Sequence, residues 1–326
     1  MQLLNTPKLQ PFRRNHLIRD AINRAIYEAM VRDPSIYVMG EGQWVKKWYD
    51  ARYIWDEFPE RVITLPIAED SAVNFAVGMS LLGVKPVVDL IAGDFLFRAM
   101  DSVCNTAAKL NFVRPDQQPR TIVIQAEFLL AGPTTGQRIE SMFTHIPGLN
   151  VVIPSTPRDA HSLMLGALAT PGVTLFFEDR EIQDELITEP DQRIGGRLGL
   201  GYALLRRNGN AKPDATVVTY GIMRQVVEQA LDPMLNIDLI DLRSIFPIDW
   251  MEIKASVRRS GKLVIIEPDV QWNGVGAEII AQISEALPHV RVKRLGAKRE
   301  TIPAAARLHK HCLPSDEEIL HAITDW

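Results

Sequence analysis

Residues 65–73 read Leu-Pro-Ile-Ala-Glu-Asp-Ser-Ala-Val, and the acidic pair Glu69-Asp70 within them is the feature best placed for chemistry. The pair lies between a β-rich run, Arg61-Val62-Ile63-Thr64, and a small-residue apolar segment, Ala72 to Leu82, that reads as a buried helix. Burying a carboxylate without a partner is costly, so an acid in this setting needs a reason. One reason is that Glu69 or Asp70 caps the helix and meets its positive end. The other is a carboxyl held in an apolar cleft, its pKa raised, exchanging a proton with a nitrogen heterocycle. A second acid, Glu41, follows the strand Ile36-Tyr37-Val38-Met39 inside Gly40-Glu41-Gly42. Open α/β sheets place their ligands at such strand ends, although a plain turn accounts for Glu41 as well. Phe95 and Phe97 stand at a further strand-to-helix junction and read as core or as a cofactor platform.

The elements that must position these residues alternate regularly. Apolar residues from Leu17 to Met30 recur at helical spacing, and Asp33-Pro34 ends that helix. Strands are expected at 36–39, 61–64, 86–91, 120–125, 150–154 and 173–178, with helices at 72–82, from about 99 to 110 and at 157–169. Most of these strands are apolar along their whole length, the signature of a parallel sheet covered on both faces. Residues 179–212 are polar and glycine-containing and read as a linker with irregular strands. A smaller α/β unit then follows, with strands at 216–220, 237–242, 262–267 and 289–295 and helices at 223–231, 249–260 and 275–287. The expected division is a first domain over 1–185, a linker over 186–212 and a second domain over 213–326.

Composition narrows the function classes. The chain has 326 residues, 46% of them hydrophobic and 23% charged, which suits a soluble two-domain protein. A net charge of −4 without a dense basic run gives no reason to expect nucleic acid. No apolar run approaches the roughly 20 residues that span a bilayer. The two distant cysteines, Cys104 and Cys312, fit a reducing compartment, and the start carries no signal-peptide pattern, so a cytoplasmic location is expected. Neither G-x-G-x-x-G nor G-x-x-x-x-G-K-[ST] occurs, so a dinucleotide or nucleoside triphosphate site would lack its usual parts. Gly274-x-Gly276 ahead of a helix could receive an anion, but tight helix–strand packing explains it too.

Over nearly its whole length the chain resembles the beta subunit of the thiamine-diphosphate-dependent decarboxylase component of 2-oxo acid dehydrogenases, within the transketolase-like superfamily. The runs that carry the resemblance include Gly40-Glu41, Thr64-Leu65-Pro66-Ile67-Ala68-Glu69, Asp94-Phe95, His145-Ile146-Pro147-Gly148-Leu149, Pro154-Ser155-Thr156-Pro157, Val217-Val218-Thr219-Tyr220-Gly221 and Gly276-Ala277-Glu278-Ile279. The resemblance implies an α/β fold with a pyrimidine-binding thiamine-diphosphate domain followed by a smaller transketolase C-terminal domain. It also implies that Glu69 bonds a pyrimidine nitrogen of the cofactor and activates it, that Phe95 stacks on that ring, and that Glu41 lies close by. The Gly-Asp-Gly…Asn motif that holds the diphosphate and its Mg2+ is missing here. That half of the site is therefore expected from an alpha-type partner subunit, in a heterotetramer.

Two departures bear on the reaction. The family's loop ahead of His-Ile-Pro-Gly carries a His-Ser-Gln motif whose histidine handles substrate protons, whereas here Thr135 takes the histidine's place, followed by Gln137 and Arg138. Threonine cannot shuttle protons near neutral pH as imidazole does. Thr135, Gln137 and Arg138 are the candidate substrate residues, and Arg138 could bind an anionic substrate group or be a solvated surface arginine. The loop that often binds a monovalent cation lacks its aspartate at Ala169-Thr170-Pro171-Gly172. The expected function is one half of a two-subunit enzyme acting on a small 2-oxo acid or ketose. As a dehydrogenase it would pass an acyl group to a lipoyl carrier, whereas a transketolase-like or acyloin-forming enzyme would pass a two-carbon fragment. A non-catalytic assembly subunit is the alternative outside catalysis.

Overall fold

The central strands are rich in valine, isoleucine, leucine and phenylalanine and bury side chains on both faces. The computed structural model describes residues 17–42, 54–115, 118–129, 132–183, 199–207, 212–232, 234–309 and 311–326. The aromatic stretch at 43–53 and most of the expected linker, 184–198, lie outside the described residues.

The first sheet comprises β1 (Ile36–Glu41), β2 (Val62–Leu65), β3 (Lys85–Ala92), β4 (Thr121–Phe128), β5 (Leu149–Val152) and β6 (Gly172–Asp179), and it takes in one later strand. Among the described residues its order is β10-β5-β6-β4-β3-β1-β2, with β10 (Ser244–Phe246) the antiparallel member. Val38, Val87, Val123 and Phe176 face one layer, where α1 (Leu17–Arg32) packs on a later helix, Pro157–Ala169. Met39, Val88, Ile124 and Phe177 face the other, where α2 (Glu69–Leu81) lies. This period of two with both faces apolar is what a parallel sheet between helices requires. The helix Pro157–Ala169 is α3; Thr156 caps it by accepting the Asp159 amide at 3.1 Å, and Pro157 opens it.

The second sheet has the order β12-β11-β8-β9-β7, from β7 (Leu204–Arg207), β8 (Ala215–Thr219), β9 (Ile237–Asp241), β11 (Lys262–Val270) and β12 (Arg291–Ala297). Its helices are α4 (Ile222–Ala230), α5 (Trp250–Ser260), α6 (Val275–Ala286) and α7 (Asp316–Thr324). The last opens on a complete capping box, Ser315 with Glu318. The helix is absent from the expected elements, although Ser-x-x-Glu at 315–318 is its local signal. One helix is expected from about 99 to 110; after a 3-10 turn (Gly93–Phe97) the span is helical, but it winds as a π-helix over Ser102–Ala107 and closes on a short α-helical turn, Leu110–Val113. The π segment is pinned from outside, because the Ser102 hydroxyl bonds the Asp70 carboxylate.

The two halves interlock. β10 comes from the second half of the sequence and completes the first sheet, while β7, inside the expected linker, is an edge of the second. Asp179 at the end of β6 accepts the Ile222 amide at 2.9 Å, and Arg138 pairs with the same carboxylate. Gly221 makes that approach feasible: its φ of 58° lies in the left-handed half of backbone space, and a Cβ there would collide with the Asp179 carboxylate. Gly221→Ala is therefore expected to cost at least about 1–3 kcal/mol from backbone strain alone, read as a lower midpoint in urea unfolding.

Candidate active site

The strand order β4-β3-β1-β2 sets four loops side by side at the carboxyl edge of a parallel sheet, which is where such sheets bind ligands. Glu41 ends β1, Glu69 follows β2, the Phe95 turn follows β3, and the Thr135 loop follows β4. Their convergence results from topology, since they span nearly a hundred residues of sequence.

Glu41 is the anchor. It is 1% exposed and its Oε1 accepts the Ala68 amide at 3.0 Å. β1 and β2 run in register here, with Glu41 opposite Leu65 and the Gly42 amide bonded to the Leu65 carbonyl at 2.8 Å. Ala68 precedes α2 and offers no capping side chain, so Glu41 satisfies the turn from the neighbouring strand. Glu69 is then the first residue of α2, half-buried. The expected capping role falls to neither Glu69 nor Asp70. Asp70 instead bonds Ser102, and Asn74 reaches Ser102 at 2.6 Å, tying α2 to the π-helical segment.

The Glu41 carboxyl is pushed up to about 7. Burial is the main cause; the Ala68 hydrogen bond opposes it, and the nearby charges of Glu69 and Asp89 add to it.

Phe95 is held by strain and by a tether. β3 bulges after Asp89, and Ile91 adopts a φ of 68°, unusual for a β-branched residue, with its amide bonded to Asp89 Oδ1 at 2.8 Å. Asp89 is in turn paired with Arg19, which also meets the buried Glu178 at 3.0 Å. The chain then enters the 3-10 turn, where Phe95 is half-buried and Phe97 exposed. Asp94 accepts the Gln137 backbone amide, and burial raises its carboxyl. Its Oδ2 is buried without a hydrogen-bond partner among the described residues. Sequence reading assigned Asp94 no role; its signal was an acid directly after a strand-ending glycine, the pattern that drew attention to Glu41.

The candidate substrate residues separate. Thr135 is half-buried in a turn closed by its own amide to Gly132, and the Gln137 side chain is exposed. Arg138 is a correction. It is 8% exposed, pairs with Glu140 at 2.7 Å and with Asp179, and stacks on the Phe128 ring at 3.8 Å. Arg138 is therefore a buried, paired guanidinium rather than a solvated surface arginine. His145-Ile146-Pro147-Gly148 lies against the π segment: Lys109 donates to the Pro147 carbonyl at 2.8 Å, and a Cβ on Gly148 would strike the Ala108 carbonyl. Among the described residues no group of three His, Cys, Asp or Glu could hold a metal ion, and no helix is long and apolar enough to cross a membrane.

Comparison with known proteins agrees with the fold. Residues 16–183 match the transketolase pyrimidine binding domain and residues 201–319 the transketolase C-terminal domain. The fold is shared with a solved "split gene transketolase, inactive beta4 tetramer", at a TM-score of 0.77 and 20% identity over 94% of this chain and 96% of that one. These matches define a transketolase-type two-domain protein. Among curated relatives, the mitochondrial pyruvate dehydrogenase E1 component subunit beta-2 of Oryza sativa subsp. japonica is 31% identical over 94% of this chain and 84% of its own length. Subunit beta-1 of Arabidopsis thaliana is 32% identical over 94% and 87%, and the subunit beta of Rickettsia felis 29% over 94% and 96%. The chain belongs to the pyruvate dehydrogenase E1 beta-subunit family.

Glu41 gives this site a pH signature. Its folded pKa, about 7, exceeds the ordinary 4.5, so the folded state holds the extra proton and stability falls as pH rises between those values. Glu41→Gln removes that dependence while keeping an acceptor for the Ala68 amide. The variant is expected to gain melting temperature relative to the parent at pH 8 and to lose that gain by pH 5, in parallel thermal scans.

Proposed function

We propose that this chain is the beta-type half of a thiamine-diphosphate-dependent enzyme that decarboxylates a small 2-oxo acid, its site completed by an alpha-type partner in a heterotetramer. The observation that carries the reading is the placement of Glu69. A half-buried carboxyl opens α2 at the carboxyl edge of the sheet, fixed by Glu41 and set among the loops that carry Phe95 and Thr135. That arrangement fits the cofactor: an acid for the pyrimidine nitrogen, an aromatic ring for its face, and a buried Asp94 oxygen still lacking a donor. Thiamine diphosphate, when bound, supplies the nucleophilic carbon and the electron sink that decarboxylation of a 2-oxo acid needs.

The chain's own residues then have separable tasks. Glu69 holds or releases a proton at the pyrimidine nitrogen, and Phe95 limits the ring's tilt. Glu41 keeps Glu69 at the start of α2, and Asp94 keeps the Thr135 loop against the Phe95 turn through the Gln137 amide. Diphosphate and Mg2+ are assigned to the partner. Thr135 cannot take the proton-handling role of a histidine, so that task too falls outside this loop. The relatives named as pyruvate dehydrogenase subunits favour passing the acyl group to a lipoyl carrier over transfer of a two-carbon fragment to an aldehyde.

An exposed apolar stripe supports the partner. Phe75 on α2 is 47% exposed, Leu82 just past its end 86%, and Ile67 just ahead of Glu69 74%. Such patches mark interaction surfaces, and this one borders the proposed site. Co-expressed with an alpha-type subunit, the chain is expected to elute as one complex that turns over a 2-oxo acid with thiamine diphosphate. Glu69→Gln should leave the complex intact and lower turnover roughly 100-fold or more; undiminished turnover would remove Glu69 from its role. Phe75→Asp should weaken association at least about tenfold, read by sedimentation, if the α2 stripe is the contact.

A further inference from the structure

A cleft of about 320 Å³ lies between the Thr135 loop and the far end of the second half, and neither Glu41, Glu69 nor Phe95 lines it. Its volume is at the low end of the roughly 300–1,000 Å³ typical of small-molecule pockets. The cleft takes Gln137, Arg138 and Asp179 from the first half and residues 297–302 from the second, so an occupant touches both. The Arg138–Asp179 pair at this cleft is already neutralised internally. Apolar wall comes from Ile222, Val270, Ile302 and Leu313. Lys298 and Arg299 line the cleft, both exposed, and neither has a carboxylate within 4.0 Å among the described residues, although Glu318 lies close enough for its charge to feel that of Lys298. Of the lining carboxylates Asp179 is taken up by Arg138, which leaves Glu300 in the cleft and Glu318 outside it against two cations.

We propose that this interdomain cleft binds a small organic anion, its carboxylate or phosphate gripped by Lys298 and Arg299 and its short aliphatic body laid along Ile222, Val270, Ile302 and Leu313. Arginine's planar fork matches either headgroup in a bidentate geometry. The apolar wall selects against a bare inorganic ion, and the volume selects against a dinucleotide. Because Gln137 lines the cleft while its backbone holds Asp94 beside Phe95, an occupant also stiffens the loop that borders the proposed active site. The binding claim needs neither thiamine diphosphate nor a partner, so it stands or falls separately from the function proposed above.

Calorimetry and thermal shift on the full chain, with hexanoate, hexyl phosphate, inorganic phosphate and 1-hexanol, test it. Hexanoate or hexyl phosphate is expected to bind and raise the melting temperature, and which of the two binds more tightly identifies the headgroup. Inorganic phosphate and 1-hexanol should bind at least about tenfold more weakly, each lacking one half of the recognition. Lys298→Glu with Arg299→Glu should lower affinity at least about tenfold. Should that double variant not fold, Arg299→Gln and a salt titration replace it, with affinity expected to fall as salt rises. No binding by either anion up to about 10 mM, equal binding of 1-hexanol, or affinity indifferent to both substitution and salt would overturn the proposal.

Discussion

One hydrogen bond sets the geometry of the candidate site: the Ala68 amide donating to the buried Glu41 carboxyl at 3.0 Å. A parallel sheet leaves the ends of its strands facing a common edge, but it does not by itself decide how the next helix begins. Glu41 decides it from the adjacent strand, so that Glu69 starts α2 at a fixed height above the sheet. The arrangement places two acids close together, and the buried one takes up the strain by holding its proton up to about pH 7. Helix entry, acid placement and proton affinity at this edge thus share one origin.

The same logic of buried polar groups joins the two halves. Arg138, Glu140 and Asp179 lie out of water, and burying ions is unfavourable unless each meets its partner. Asp179 meets two, the Arg138 guanidinium and the Ile222 amide, one from each half of the chain. Farther along, Arg243 pairs with Asp159 at 2.9 Å, and the Ser155 hydroxyl bonds Asp241 at 3.0 Å, again across the boundary. With β10 inserted into the first sheet, the site's floor and the second half are one framework, so loops at the sheet edge rest on a rigid base.

Much of this was legible in the sequence, for identifiable reasons. Thr156-Pro157 announced α3, and the apolar runs at 86–91 and 121–125 announced central strands, because local capping and burial pattern agree with the fold there. The place of Glu69 at the start of α2 was legible because an acid preceding an apolar helix is conspicuous. Arg138 was misread because its partners, Glu140 and Asp179, include one 41 residues away, and nothing local distinguishes a paired arginine from a solvated one. The π-helical winding of the expected 99–110 helix was hidden for a similar reason, since Ser102 is held by Asp70, a residue 32 positions earlier. β10 escaped because three residues carry no period of their own, and only pairing with β5 makes them a strand.

The central claim is that Glu69, placed by Glu41, activates a cofactor this chain grips on one side only. The most direct measurement is the rate at which the assembled complex exchanges the acidic carbon-bound proton of thiamine diphosphate for deuterium, read by quenched-flow NMR. The account expects wild-type exchange faster than that of the Glu69→Gln complex by two or more orders of magnitude, with cofactor binding retained. Equal exchange in the two complexes, both saturated with cofactor, would contradict it.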